Sequence, residues 1–591
     1  MAQLTDFIPT TVKELQLRGW DWLDVVLFSG DAYIDHPSFG AAVIARVLEG
    51  AGYRVAIVPQ PDWRGDWRDF KKMPQPRLFY AITAGAMDSM VNHYTANRRK
   101  RSNDAYSPNG QAGLRPDYCT ITYCKILKTL FPEVPVVIGG IEASMRRLTH
   151  YDYWSDKLMP SILEDSKADV LIYGMGEQPI LALAEHYKKT KALPIDIPQI
   201  GYIISDYTQL PEPYIKLNSH EQCLEQKILQ AKNFALIEKQ SFNARPQMLV
   251  QPLNDIGNSA VVINPPFPQT TTEQLDHTYD LPYTRLPHPK YKGKTIPAYD
   301  MIRFSVCMHR GCFGGCSFCT ISAHQGKQIT SRSKESILKE IDKISQLPEF
   351  KGYISDLGGP SANMYQIHGK DMNLCKRCNR PTCLQPNVCK NLNIDFTELI
   401  DIYKSVNNLP YIKKAFVSSG VRLDLMTEQY AEELIIEHVS GRLKVAPEHT
   451  EDNVLKIMRK PPFSVFEDFV KLFDKVNKKH SLRQQIIPYF ISSHPACRVE
   501  DMAQLAVKTK ALNLQLEQIQ DFTPTPMTLA TEMYYTGYDP HTLKPIYTAR
   551  TQQDKLEQRQ FFFYYKPEYK KKIAQTLRRI NHPELINKLL K

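Results

Sequence analysis

One repeated unit restricts the fold more than any other feature. It is a short run of β-branched and apolar residues, then glycine, then a stretch with helical spacing. In the first third the runs are Leu23 to Phe28, Arg54 to Val58, Leu78 to Thr83, Pro135 to Ile138 leading into Gly139-Gly140, and Asp169 to Tyr173 leading into Gly174-Met175-Gly176. Phe39 to Ala51 has helical spacing and stops at Gly52. Such runs, alternating with helices, predict a parallel α/β sheet. The glycine turns then lie at the C-terminal strand ends, where ligands bind in sheets of this kind.

A second series begins near Tyr299. Its strand candidates are Ile302 to Val306, Tyr353 to Leu357, Ala415 to Ser418, Leu443 to Val445, Gln485 to Phe490 and Gln515 to Ile519. Six strands with helices between them predict a partial barrel or an open parallel sheet. The two series divide the chain into an α/β domain over 1–190, an extended proline-rich connector over 191–297 with one helix near Glu221 to Gln240, a second α/β core over 298–532, and a basic, aromatic C-terminal extension over 533–591.

Apolar residues at 42% and charged residues at 23% are a globular composition. The apolar stretches are too short to cross a bilayer, and Met1 to Lys13 lacks the pattern of a secretory signal, so the expectation is a soluble, cytoplasmic protein without a membrane partner. A net charge of +11 permits a nucleic-acid partner without requiring one. The basic runs Arg98 to Arg101 and Lys570 to Lys572 read as solvated surface.

Eight of the twelve cysteines fall between Cys307 and Cys389. Clustered cysteines in a reducing compartment bind metal more often than they pair. Directly after the first strand of the second series stands Cys312-Phe313-Gly314-Gly315-Cys316-Ser317-Phe318-Cys319, a C-x3-C-x2-C motif. Its glycines let the backbone close around a cluster and aim N–H groups at sulfides. Three thiolates leave one iron of a cubane open to a chelating ligand. Zinc is the rival and needs a fourth ligand, which Cys307 or His309 could supply.

This loop resembles the signature of the radical S-adenosylmethionine (SAM) superfamily. The chain around it is similar to the uncharacterised YgiQ-type family, through Ser355 to Pro360, Val417 to Arg422, Val445 to His449 and Asp521 to Pro526. The resemblance implies a flavodoxin-like, cobalamin-binding-like sheet followed by a radical SAM partial (β/α)6 barrel and a short C-terminal extension. It implies a [4Fe–4S] cluster on Cys312, Cys316 and Cys319, whose open iron is chelated by SAM. An external one-electron donor then drives cleavage of SAM to a 5′-deoxyadenosyl radical, which acts on an unknown substrate. SAM contacts are expected at Gly358, Gly359, Ser419, Arg422 and Glu448. Relatives carry a glutamate after the glycine pair; here Pro360 stands in its place.

A second group, Cys375, Cys378, Cys383 and Cys389, lies in a cysteine-rich insertion over 360–392 and suits zinc or another iron–sulfur cluster. In the first domain, Asp35-His36-Pro37-Ser38-Phe39-Gly40 sits where cobalamin-binding relatives carry an axial histidine, but its spacing departs from theirs, and cobalamin stays open. Gly139 to Ser144 and Gly174 to Glu177 would line that cleft. The reading of a different class is a metal-stabilised nucleic-acid-binding protein without catalysis.

Overall fold

The computed structural model describes residues 3–243, 245–514 and 516–590, which form two compact units. The first contains the residues up to Phe304 with Ala323–Gly326 and Arg332–Glu340; the second contains the remainder.

The first unit is built on a nine-stranded sheet. Its strands are β1 (Val25–Ser29), β2 (Val55–Pro59), β3 (Phe79–Thr83), β4 (Val136–Gly139), β5 (Val170–Ile172), β6 (Ile200–Ile204), β7 (Tyr214–Lys216), β8 (Met248–Pro252) and β9 (Ala260–Ile263). Their order is β2-β1-β3-β4-β5-β6-β9-β8-β7. The first five are parallel, with Val25 beside both Val55 and Phe79. Helices cover both faces, so β1 and β2 are buried along their whole length and read as continuous apolar runs. Val25 and Leu27 pack with Val43, Leu48 and Leu183. Phe28 turns the other way, stacking on Phe70 at 5.2 Å, and Phe70 meets Tyr123 edge-on.

Residues 191–297 differ from the expected connector. They supply β6 to β9, four strands of the same sheet. β6 and β9 pair antiparallel, as do β9 and β8, and short β7 lies at the edge. The prolines lie mainly between and at the ends of these strands, which hid the pattern. The expected helix is present in two pieces, His220–Glu225 and Lys227–Phe242.

The second unit holds the expected parallel strands: β10 (Ser305–Cys307), β11 (Tyr353–Ile354), β12 (Asp356–Gly358), β13 (Lys414–Ala415), β14 (Arg442–Glu448), β15 (Gln485–Ser492) and β16 (Gln518–Asp521). β10 pairs with β12, β11 with β13, and β14-β15-β16 form one sheet. The first strand begins later than expected, because the helix Pro297–Ile302, with proline in its first turn, occupies the preceding residues. Gln515, the expected start of the last strand, lies outside the described residues. In the C-terminal extension Phe561 and Phe562 are buried, while Tyr565 is exposed, so only the start of the aromatic run is packed core. No helix among the described residues is long and apolar enough to cross a membrane.

Candidate functional site

The cysteine loop leaves β10 through a two-residue ribbon, His309–Arg310 against Thr330–Ser331. Gly311 and Gly315 have φ of +87° and +62°, the left-handed region that favours glycine. A Cβ on Gly315 would stand 2.8 Å from Cβ of Thr382. One on Gly314 would meet Cys312 Sγ at 3.3 Å and Arg422 Nη1 at 3.4 Å. Gly311 and Gly315 are therefore what let the loop take this shape. Burial, together with the Cys316 sulfur, raises the thiol pKa of Cys312, and pushes that of Cys319 to about 12. Behind the loop the Ser317 amide donates to Met458 O at 3.1 Å, and its hydroxyl lies 3.2 Å from Nε2 of buried His494. His494 Nδ1 lies 2.9 Å from the Pro495 carbonyl, which assigns the proton to Nδ1 and leaves Nε2 to accept from Ser317.

The expected SAM contacts gather around this loop in unequal ways. Arg422 is buried; its Nε and Nη2 grip Asp424 at 2.9 and 2.6 Å, and Nη1 donates to Cys316 Sγ at 3.2 Å. Burial opposes its charge, yet Asp424 with the Cys316 and Cys312 sulfurs outweighs that and raises its pKa. Asn363 clamps the Arg422 backbone, accepting from its N–H and donating to its carbonyl, both at 2.8 Å. Ser419 is held by Asp356: its hydroxyl donates at 2.5 Å, and the amides of Ser418 and Ser419 donate at 2.8 and 3.0 Å. Gly358 lies so close beneath that its Cβ would come within 2.8 Å of both Ser419 Cβ and Asp356 Oδ1. A Cβ on Gly359 would overlap the His309 ring. His309 is fully buried, burial lowers its pKa to about 3, and neither ring nitrogen has a hydrogen-bond partner. Glu448 sits at φ +69° in the irregularity that ends the β14 pairing. Burial raises its pKa against the opposing charge of Lys460, 3.5 Å away, and its charge is felt at Cys319.

The sequence reading gave no function to Asp356, Asn363 or Asp424. An aspartate inside a buried parallel strand was a usable signal for the first, and Asp424, two residues after an arginine, for the third. The donor set suits a cubane cluster: three thiols, a bare glycine backbone and a guanidinium directed at one sulfur.

The insertion closes at its base through the Gly369–Leu392 bridge and is tied directly to the cysteine loop. The Thr382 hydroxyl bonds the Phe313 and Gly314 carbonyls at 2.8 and 2.9 Å, and the Cys383 amide donates to Phe313 O at 3.2 Å. Among the described residues no three His, Cys, Asp or Glu side chains converge on one ion-sized point, either here or in the first loop.

In the first unit, strand order reverses between β1 and β3, the place where open α/β sheets form a ligand crevice. A cavity of about 380 Å³ lies there, lined by Phe39, Met87, Val91, Asn92 and Tyr106 among others. His36 is buried instead, its Nδ1 accepting from the Ser38 amide at 3.0 Å, and burial holds its pKa well below the ordinary value. Glu142 accepts from the Ser89 and Thr120 amides, and Ser144 from that of Gly174.

Comparison with known proteins agrees with this geometry. The Radical SAM N-terminal family matches residues 7–305, the Radical SAM superfamily residues 306–505, and a domain of unknown function, DUF3362, residues 517–588. A UPF0313 protein of Bacteroides thetaiotaomicron is 59% identical, covering 99% of this chain and 98% of that one. Its counterpart in Porphyromonas gingivalis is 58% identical over 99% and 94%, and that in Methanocella arvoryzae 44% over 98% and 96%. A solved radical S-adenosylmethionine methyltransferase, TsrM of Kitasatospora setae, is 14% identical over 85% of this chain and 74% of that one, with a TM-score of 0.49. The chain belongs to the UPF0313 family, carries the radical SAM domain, and is a radical SAM enzyme whose cofactors are a [4Fe–4S] cluster and S-adenosylmethionine.

Proposed function

We propose that Cys312, Cys316 and Cys319 are the three protein ligands of the cluster, and that Gly358, Gly359, Ser419, Arg422 and Glu448 form the wall against which SAM is seated. The observation that carries this is the Arg422 contact with Cys316, made by a buried guanidinium whose Nε and Nη2 are fixed on Asp424. When bound, the cluster and SAM supply a 5′-deoxyadenosyl radical that takes hydrogen from a substrate. The chain's own residues do the positioning. Arg422 sets positive charge and an N–H donor beside the Cys316 sulfur. Gly358 and Gly359 offer bare backbone at a strand end, and buried Glu448 supplies an acidic group where Pro360 does not. Asp356 and Asn363 are positioning residues that fix Ser419 and Arg422. An external one-electron donor and a substrate complete the reaction. The domain limits belong to the same reading: a first module that includes 191–297, a core to 532 and an extension over 533–591.

The test is the Cys312/Cys316/Cys319→Ala variant, purified and reconstituted without oxygen. It should lose about four irons and four sulfides per chain and all 5′-deoxyadenosine formation. Full iron retention in that variant sinks the assignment.

A further inference from the structure

The insertion packs at its two ends, where Met364, Tyr365, Ile367 and Leu392 are buried, but its cysteine-bearing stretch over 370–391 has little apolar core: Leu384 is buried, while Met372 and Leu374 are about half exposed. Packing of that kind does not hold a segment of this length, whereas a metal centre does. We infer that Cys375, Cys378, Cys383 and Cys389 hold a second iron–sulfur cluster, and that it is the point where the electron of an external one-electron donor enters the chain. The second half of this inference rests on the cluster placed above at Cys312, Cys316 and Cys319.

The backbone ties the four cysteines in pairs: the Cys378 amide donates to the Cys375 carbonyl at 3.1 Å and the Cys389 amide to the Cys383 carbonyl at 2.7 Å. Donors point at the sulfurs as they do in the first loop. Asn391 Nδ2 donates to Cys375 Sγ at 3.3 Å and the Arg380 amide to Cys378 Sγ at 3.5 Å. In the first loop the Ile321 amide donates to Cys319 Sγ at 3.4 Å, and Arg422 serves Cys316. Cations accompany both groups: Lys327 Nζ donates to the Arg380 carbonyl within the insertion at 2.7 Å, and Arg422 Nη1 donates to Cys316 Sγ in the first loop. Thiolates bound to iron leave net negative charge on a cluster, and paired cations with N–H donors offset it.

The strap gives the redox role. Cys383 N–H donates to the carbonyl of Phe313, the residue after Cys312. A path therefore runs from Cys383 to Cys312 through covalent bonds and a single hydrogen bond. In the transfer the donor, a flavodoxin- or ferredoxin-type reductant, loses one electron and the insertion cluster gains it. That cluster is reoxidised as the electron passes on. No bond forms or breaks, and no proton moves.

The experiment is metal and sulfide analysis with EPR on the anaerobically reconstituted full chain. The unaltered protein should hold about eight irons and eight sulfides. The Cys375/Cys378/Cys383/Cys389→Ala variant should hold about four. Doubly reduced unaltered protein should show a spin-coupled spectrum that this variant lacks. The rate of cluster reduction by a flavodoxin-type donor, divided by the rate with dithionite, should fall at least tenfold in it. Cys389→Ser, a milder change, should shift only the second signal. Zinc without sulfide at the insertion overturns the inference, and an unchanged rate ratio overturns the entry role. If the Cys312/Cys316/Cys319→Ala variant instead loses no iron, it is the first assignment that fails.

Discussion

Gly359 shows how tightly single residues are constrained around the site. A methyl group there would overlap the His309 ring, with Nδ1 at 2.6 Å. Gly359→Ala should cost about 1–3 kcal/mol in urea unfolding and weaken SAM binding at least tenfold. Gly40→Ala, where an added Cβ meets nothing within 4 Å, should change neither, and equal effects of the two would refute the steric argument. His449 gives a pH dependence. It is fully buried; burial, with His494 and Lys508, lowers its pKa to about 3. The unfolded chain takes up that proton below about pH 6.5 and the folded chain only near 3, so stability falls as pH drops through this window, by up to about 1.4 kcal/mol per pH unit from this group. Urea midpoints at pH 7.5 and 5.0 should differ less in His449→Gln; an undiminished difference contradicts the assignment. The cysteine ligands were legible because their spacing is local. The Asp356 grip on Ser419 and the Asn363 grip on Arg422 were not, because the partners lie 63 and 59 residues apart and nothing in either segment announces the other.

At the scale of elements, the insertion is a brace as well as a cysteine carrier. Thr382→Val removes a hydroxyl that serves two buried carbonyls and also accepts from the Leu384 amide at 3.0 Å. It should cost about 1–3 kcal/mol and speed amide exchange at the Gly314-Gly315 turn. Unaltered exchange there would show that the brace is idle. The parallel strands of both units were legible because short β-branched and apolar runs recur between stretches of helical spacing. β6 to β9 were not, because prolines interrupt the period and β7 is three residues long with no residue fully buried.

For the whole molecule, the first unit depends on residues that look like a tether in sequence. Replacing 191–297 with a flexible linker removes four of nine strands and exposes β5 as an edge. Expression of that variant should give aggregate rather than a shortened soluble chain; a cooperative thermal transition in it would contradict the dependence. The strap between Thr382 and Phe313 has a further consequence, one of time. The two residues are 69 positions apart. At about 5–20 residues per second of synthesis, the cysteine triad leaves the ribosome roughly 3–14 seconds before its brace. During that interval three reactive thiols are exposed on a loop whose final shape is not yet enforced. Delivery of iron and sulfide to this chain therefore belongs after translation of the insertion, and a nascent chain halted before Thr382 should accept a cluster far less readily than one released after it.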